Sequence, residues 1–203
     1  MSFVALVFIS YTVSVVLFFL MPYIDYANII GFLSLIYYSL TIIPTMIKTI
    51  FPNFYKQQSI WKSLLKNRRY TGVAAFCFAC NHGALLIWTS SLNLLDFNTW
   101  ITYFQGLSSI IIFTILAITS NDESVRKLKA NWKKIHNLTY LCLFILPWHI
   151  LDKMSGNWTF ITPFAVILSI SLCLLFVVRK IIEFKLTGRL EIASTQTKPT
   201  FVG

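Results

Sequence analysis

Three histidines are the residues whose type and surroundings are best suited to chemistry in this sequence. His82, His136 and His149 are the three histidines of the 203-residue chain, and each lies within a run of apolar residues. An imidazole in an apolar environment is costly unless it is hydrogen bonded, ligates a metal or relays a proton. Each histidine is therefore a candidate functional residue. For any one of them, a hydrogen bond to a neighbouring helix is the structural alternative.

The composition indicates that these apolar runs cross a membrane. Hydrophobic residues make up 57% of the chain, charged residues make up 12%, and the mean hydropathy is +0.71. A soluble domain carries about 25% charged residues and a disordered chain has low hydrophobicity, so both classes are excluded. A membrane-spanning helix needs about 20 apolar residues. Six runs qualify, at about 3–22, 27–50, 71–90, 101–120, 132–151 and 160–178.

The basic residues predict how these spans are oriented. The formal net charge is +10, and 16 of the 17 Lys and Arg residues lie between spans two and three, between spans four and five, at the adjoining ends of these spans, or after span six. Only Lys153 falls in a loop on the other side. Because Lys and Arg concentrate in cytoplasmic loops, both termini are predicted to be cytoplasmic. The surplus charge thus reports topology, and no nucleic-acid partner is needed to explain it.

The predicted fold is an all-α polytopic membrane protein in the lipid bilayer. A six-transmembrane-helix bundle covers residues 1–190, and a short cytoplasmic tail covers 191–203. The segment 53–69 between spans two and three mixes basic with apolar residues. It is either an amphipathic helix on the inner membrane surface or a solvated linker.

The depth of each histidine predicts which of them act together. Spans three and five run in the same direction, and His82 and His149 both lie past the middle, whereas His136 lies near the cytoplasmic face. His136 and His149 are 13 residues apart, or about 20 Å along a helix, so they cannot ligate one metal ion together. Imidazoles from facing helices at matching depth can ligate haem iron from both faces, which favours His82 with His149. His136 could hold a second haem with a non-histidine ligand, or bind no cofactor.

If span five is one regular helix, its two histidines point in different directions. Thirteen residues of regular helix leave His136 and His149 about 140° apart around the axis. Pro147 lies between them and can kink the helix or shift its phase.

Three stretches carry a resemblance to a known family. They are Arg68-Arg69-x-x-Gly72 leading to His82, Thr119-Ser120 at the end of span four, and Arg126-Lys127-Leu128 followed by Trp132-x-x-Ile135-His136 and then His149. The chain resembles the ferric reductase-like transmembrane domain family and, within it, the MsrQ/YedZ-like haem-binding membrane subunits. Lys129 departs from the pattern, since the family usually has glycine there.

The resemblance implies a haem-binding component of an oxidoreductase, with no substrate-converting residues of its own. His82, His136 and His149 match the family's haem ligands, for one or two b-type haems, with His82 and His149 on one iron. It implies electron transfer from a cytoplasmic flavin, flavoprotein or quinol to an outer-side redox partner such as a methionine sulfoxide reductase. FMN is a further cofactor that the family allows, and the expected location is a bacterial inner membrane.

The basic residues flanking the motifs form a candidate docking surface. An acidic donor or a flavin phosphate would be attracted to positive charge at this face. Ordinary cytoplasmic loop charges are the alternative interpretation. The residues concerned are Arg68, Arg69, Arg126 and Lys127.

Two other function classes fit a membrane protein with histidines in its spans. One is a histidine-dependent, proton-coupled transporter, which would show flux without any cofactor. Transporters often carry internal repeats, and none is visible in this sequence. The other is a cofactor-free membrane scaffold subunit, in which all three histidines would tolerate alanine.

Overall fold

The computed structural model describes residues 3–20, 26–93, 95–156 and 158–196, and this part of the chain is helical without strands. The all-α class predicted from the sequence is therefore confirmed. In chain order the described helices are α1 (Phe3–Leu20), α2 (Tyr26–Ile50), α3 (Pro52–Gln57), α4 (Ser59–Thr89), α5 (Phe97–Thr102), α6 (Phe104–Ile118), α7 (Asp122–Leu128), α8 (Ala130–His136), α9 (Thr139–Met154) and α10 (Thr162–Gln196).

Three helices of the described part are long and apolar enough to cross a membrane on their own. They are α2, α4 and the Thr162–Gly188 portion of α10. A fourth span results if α6 and α7, which meet at an angle of 93°, count as one broken helix. The count of six spans and the cytoplasmic termini stay predictions. Residues 21–22 of the first predicted span and 197–203 of the predicted tail lie outside the described residues.

The segment between spans two and three is helical, and most of it continues the third span. The helix α4 runs for 31 residues from Ser59 to Thr89 without a break. Only α3 is separate, and it starts at Pro52, where a missing N–H costs nothing because the first turn has no acceptor for it. Residues 59–69 are therefore helical and not a linker, and their position at the membrane surface stays a prediction.

Helix α2 lies at the centre of the bundle, where it packs on α4 and α10. Its polar side chains are buried and bonded to neighbouring helices: Ser34 Oγ donates to the Ala75 carbonyl at 2.9 Å, and Tyr38 Oη donates to the Thr139 carbonyl at 2.7 Å. The outer face of α10 exposes large apolar side chains such as Phe164 and Ile167. Polar groups inside and apolar groups outside are the pattern expected of a bundle surrounded by lipid.

The fifth predicted span is broken into α8 and α9, and the break separates His136 from His149. Leu138 N–H donates to the Ile135 carbonyl at 3.0 Å, and Leu141 N–H donates to the Leu138 carbonyl at 3.0 Å. Both bonds join residues three apart, which is the tighter 3₁₀ pattern. The two histidines therefore lie on different helices, and the angle expected from one regular helix does not apply.

Pro147 lies inside α9 and couples that helix to α10. A proline has no N–H, so the carbonyl four residues earlier, on Leu143, loses its partner within the helix. The thiol of Cys173 on α10 donates to the Leu143 carbonyl instead. Leu143 itself is 1% exposed, so this replacement bond satisfies a group that water does not reach.

Lys129 forms the turn between α7 and α8 in a backbone conformation that favours glycine. Its φ is 48° and its ψ is −120°. A Cβ is crowded by the neighbouring backbone in this region, and the strain costs about 1–2 kcal/mol. The glycine that the family usually carries here thus has a physical reason, and this chain tolerates a lysine at a cost.

We expect Lys129→Gly to stabilise the protein by about 1 kcal/mol, because glycine adopts this backbone conformation without strain. The measurement is denaturant-induced unfolding in detergent micelles. Lys133→Gly is the matched control, since Lys133 lies within α8 and loss of its side chain should destabilise by about 1 kcal/mol. The same sign of change in both variants would contradict the interpretation of the turn.

Candidate functional site

His82 and His149 line the same cavity between the helices. The cavity has a volume of about 580 Å³ and lies among α2, α4, α6, α9 and the start of α10. Most of its lining side chains are apolar, among them Phe113 and Leu146. Cofactor sites are typically cavities of about 300–1,000 Å³ with mainly apolar walls and a few polar groups. The two histidines that lie at matching depth in the sequence thus line one cavity in the structure.

The ring of His82 is held by the backbone of α2. Its Nδ1 lies 2.7 Å from the carbonyl oxygen of Ala27. A carbonyl only accepts, so Nδ1 carries the proton and Nε2 keeps a free lone pair. A metal-bound histidine is commonly oriented by such a bond from its other nitrogen to a backbone carbonyl. The contact with Ala27 therefore favours the neutral tautomer of His82, in which Nε2 is unprotonated.

A glycine on the neighbouring helix makes room for each ring. A Cβ on Gly31 would lie 3.0 Å from Cε1 and Nδ1 of His82, and a Cβ on Gly106 would lie 3.0 Å from Cε1 of His149. Only the absence of a side chain allows approaches this close. These contacts join helices distant in the sequence, and the signal for them in the sequence is a glycine within an apolar span, which is typical of close helix approach.

His149 has a buried ring nitrogen without a partner. Its Nδ1 is shielded from solvent and makes no hydrogen bond to any described residue. An unpaired buried polar atom carries a desolvation cost. His149 thus differs from His82, whose Nδ1 is bonded to a backbone carbonyl.

The two imidazoles suit an iron whose other ligands come from a porphyrin ring. Within the described ranges, no three His, Cys, Asp or Glu side chains converge where they could hold a metal ion. A bare ion would need about four protein ligands. Haem iron needs only two axial ligands, because the porphyrin ring supplies the rest. The residues at this cavity therefore fit haem better than a free metal ion.

His136 lies outside the cavity and has partners of its own. Its Nε2 lies 3.1 Å from Oγ1 of Thr119, and its ring stacks on Trp132 with centroids 4.0 Å apart. The Trp132 indole N–H in turn donates to the Thr119 carbonyl at 3.0 Å. The Thr119-Ser120 stretch that carries part of the family resemblance is thus the element on which His136 is fixed.

The four candidate docking residues gather at the end of the bundle that holds His136. Arg69 Nη2 bonds Oδ1 of Asp122 at 2.8 Å and so joins α4 to α7, while Lys127 pairs with Glu123 at 2.7 Å. Arg68 and Arg126 are exposed. Two of the four residues therefore take part in ion pairs, and Lys127, Arg68 and Arg126 are all exposed at this end of the bundle.

The fold and its apolar exterior together define an integral membrane protein with a cavity between its helices. A sequence model of the family described as "Ferric reductase like transmembrane component" matches residues 30–147. This match covers more than half of the chain, and the chain belongs to that family. His82 and His136 fall inside the matched region, and His149 lies just beyond it.

Curated relatives agree with the family assignment. The chain is 28% identical over 122 residues to the "Protein-methionine-sulfoxide reductase heme-binding subunit MsrQ" of Yersinia enterocolitica, over 57% of this chain and 59% of the relative. It is 34% identical over 88 residues to the protein of the same name from Brucella ovis, over 40% and 39% of the two chains. The chain therefore spans about two fifths to three fifths of the length of these relatives. No solved structure matches. The resemblance noted from the sequence is confirmed.

We expect Gly31→Val to destabilise the protein by about 1–3 kcal/mol, because the new side chain must displace the His82 ring or part α2 from α4. Unfolding in detergent micelles, followed by circular dichroism, measures the loss. Gly188→Val is the control, since a Cβ on Gly188 meets nothing within 4 Å. An equal loss in both variants would mean that the contact with His82 is not the cause.

Proposed function

We propose that this protein is a membrane electron-transfer subunit that holds haem b between His82 and His149. The observation that supports it best is the meeting of these two histidines, from separate helices, at one apolar cavity. The relatives named as haem-binding subunits support the same cofactor. Neutral imidazoles add no charge to a low-dielectric interior, which suits a cofactor site inside a bilayer.

Bound haem would supply one-electron chemistry, and the protein would set its position and its potential through axial ligands and burial. His82 contributes a lone pair on Nε2 that the Ala27 carbonyl orients. His149 contributes the second imidazole from α9, seated against Gly106. Apolar side chains such as Phe113 and Leu146 exclude water from the space between them.

The proposed direction of transfer is from the cytoplasm outwards. The positive-inside distribution of Lys and Arg places the docking residues Arg68, Arg69, Arg126 and Lys127 on the cytoplasmic side. A flavin, a flavoprotein or a quinol would act as donor there, with FMN as a candidate bound group. The acceptor would be an outer-side protein, for which the names of the relatives suggest a methionine sulfoxide reductase, and the membrane would be a bacterial inner membrane.

His136 has a separate role in this proposal. It lies at the same end as the docking residues, with its Nε2 engaged by Thr119. The haem of the His82 and His149 site therefore does not depend on it. Any second haem, held by His136 and a non-histidine ligand, would require that the bond to Thr119 be given up.

We expect the purified protein, expressed with ample haem, to show a reducible b-type Soret band. His82→Ala and His149→Ala should lose or strongly alter it, because one axial ligand of the iron is removed in each. Absorbance spectroscopy of the oxidised and reduced protein in detergent measures the effect, with haem stoichiometry from the pyridine haemochrome assay.

His136→Ala is the matched control for these variants, and it should keep the band of the His82 and His149 site. A fall from two haems to one in His136→Ala would identify a second site. A colourless wild-type protein would overturn the proposal. Proton flux into liposomes by that colourless protein would then favour the transporter.

We also expect the double variant Arg68→Glu/Arg126→Glu to be reduced about tenfold more slowly by reduced FMN at low ionic strength, since steering by charge is lost. Reduced riboflavin, which lacks the phosphate, should reduce variant and wild type at similar rates. Stopped-flow absorbance at the Soret band measures both reactions. If reduction of the variant slows equally with both flavins, or does not slow with FMN, these arginines are not part of the docking surface.

A further inference from the structure

One charged side chain lines the cavity in the part of the chain that the structure describes, and it belongs to Lys153. Lys153 follows His149 by four residues in α9, so the two side chains lie on the same face of the helix, one turn apart. A cation at the wall of an apolar cavity is costly unless a negative group accompanies it. Asp152 supplies one such group, and a ligand in the cavity would supply another.

Topology does not explain Lys153. The other 16 basic residues lie in the three segments predicted to be cytoplasmic, where positive charge is ordinary. Lys153 is the exception in the sequence, at the opposite end of the predicted fifth span. The same residue that departs from the charge pattern is thus the residue that reaches the cavity.

The contacts of Lys153 hold its ammonium group in place and leave one of its hydrogen-bond donors for another partner. Its Nζ lies 2.8 Å from Oδ2 of Asp152, bonds the Thr102 carbonyl, and lies 4.9 Å from the centre of the Tyr103 ring. Asp152 is in turn contacted by Gln105 Nε2 at 3.4 Å. An ammonium group has three donors, and two are used here. The Lys153 side chain is 24% exposed, so it is a partly buried and positioned cation.

We propose that Lys153 binds a carboxylate of the ligand in this cavity, which for haem is a propionate. This inference rests on the proposed function, because it assigns a role toward the same group. Haem carries two propionates, and their negative charge must be balanced when they leave water. Lys153 supplies an ammonium donor one helical turn from the iron ligand His149. The hydroxyls of Thr159 and Thr162, which also line the cavity, lie 3.0 Å apart, so one of them donates to the other and the second keeps a proton for a ligand.

The test compares haem b with haem b dimethyl ester, in which both carboxylates are blocked and uncharged. Each is reconstituted into detergent-purified wild type and Lys153→Met, and its rate of transfer to apomyoglobin is followed by absorbance. Lys153→Met should lose haem b on the order of tenfold faster than wild type, because a charge-assisted hydrogen bond is lost. The ester should leave both proteins at the same rate. The midpoint potential of haem b should also fall in Lys153→Met, since a nearby positive charge favours the reduced iron.

Two further variants and one comparison complete the design. Lys66→Met removes the same charge from an exposed site on α4, and haem b should leave it at the wild-type rate. Lys153→Arg keeps the charge and should restore slow loss. If Lys153→Met does not fold, the two porphyrins are compared in the wild type alone. The wild type should then lose the ester faster than haem b.

Unchanged haem b loss in Lys153→Met, or equally accelerated loss of both porphyrins, would overturn the role of Lys153 while leaving the haem site intact. Wild-type protein that loses the ester and haem b at equal rates would overturn it as well. A wild type that binds neither porphyrin would overturn the proposed function, and with it this inference.

Discussion

The structure depends on one constraint: polar groups inside the bundle must find partners without the help of water. Helix α2 meets this constraint for several neighbours at once. Its Ser34 and Tyr38 hydroxyls bond backbone carbonyls of other segments, and its Ala27 carbonyl holds the His82 ring. Each of these bonds also fixes the position of the helix that it reaches. The central helix thus positions His82 by the same kind of interaction that holds the bundle together.

The interruptions of the fifth predicted span serve the same constraint. The 3₁₀ bonds between α8 and α9 keep the backbone paired where the helix changes course. The carbonyl freed by Pro147 is taken up by Cys173. These adjustments let His136 stay with Thr119 while His149 turns into the cavity. A single regular helix would not have allowed both.

Much of the helix layout could be predicted from the sequence, because apolar runs and their polar boundaries are local features. The described helices α2 and α10 begin within two residues of the predicted spans. The pairing of His82 with His149 also followed from depth, which needs only residue counting. The continuity of α4 could not be predicted, since the basic residues of 59–69 are equally compatible with a separate segment.

The closest contacts of the site could not be predicted from the sequence, for a different reason. That Gly31 faces His82, and Gly106 faces His149, depends on how helices distant in sequence rotate and pack. The position of Lys153 at the cavity depends on the same packing. The strained turn at Lys129 was visible only as a departure from the family pattern, and its backbone angles give the cause.

The two contacts between glycine and histidine link the cavity to two pairs of helices. His82 of α4 lies beside Gly31 of α2, and His149 of α9 lies beside Gly106 of α6, without room for a Cβ on either glycine. A shift of α2 toward α4, or of α6 toward α9, would therefore press on an imidazole ring. Because both rings line the cavity, closer packing of either helix pair would change the shape of its wall.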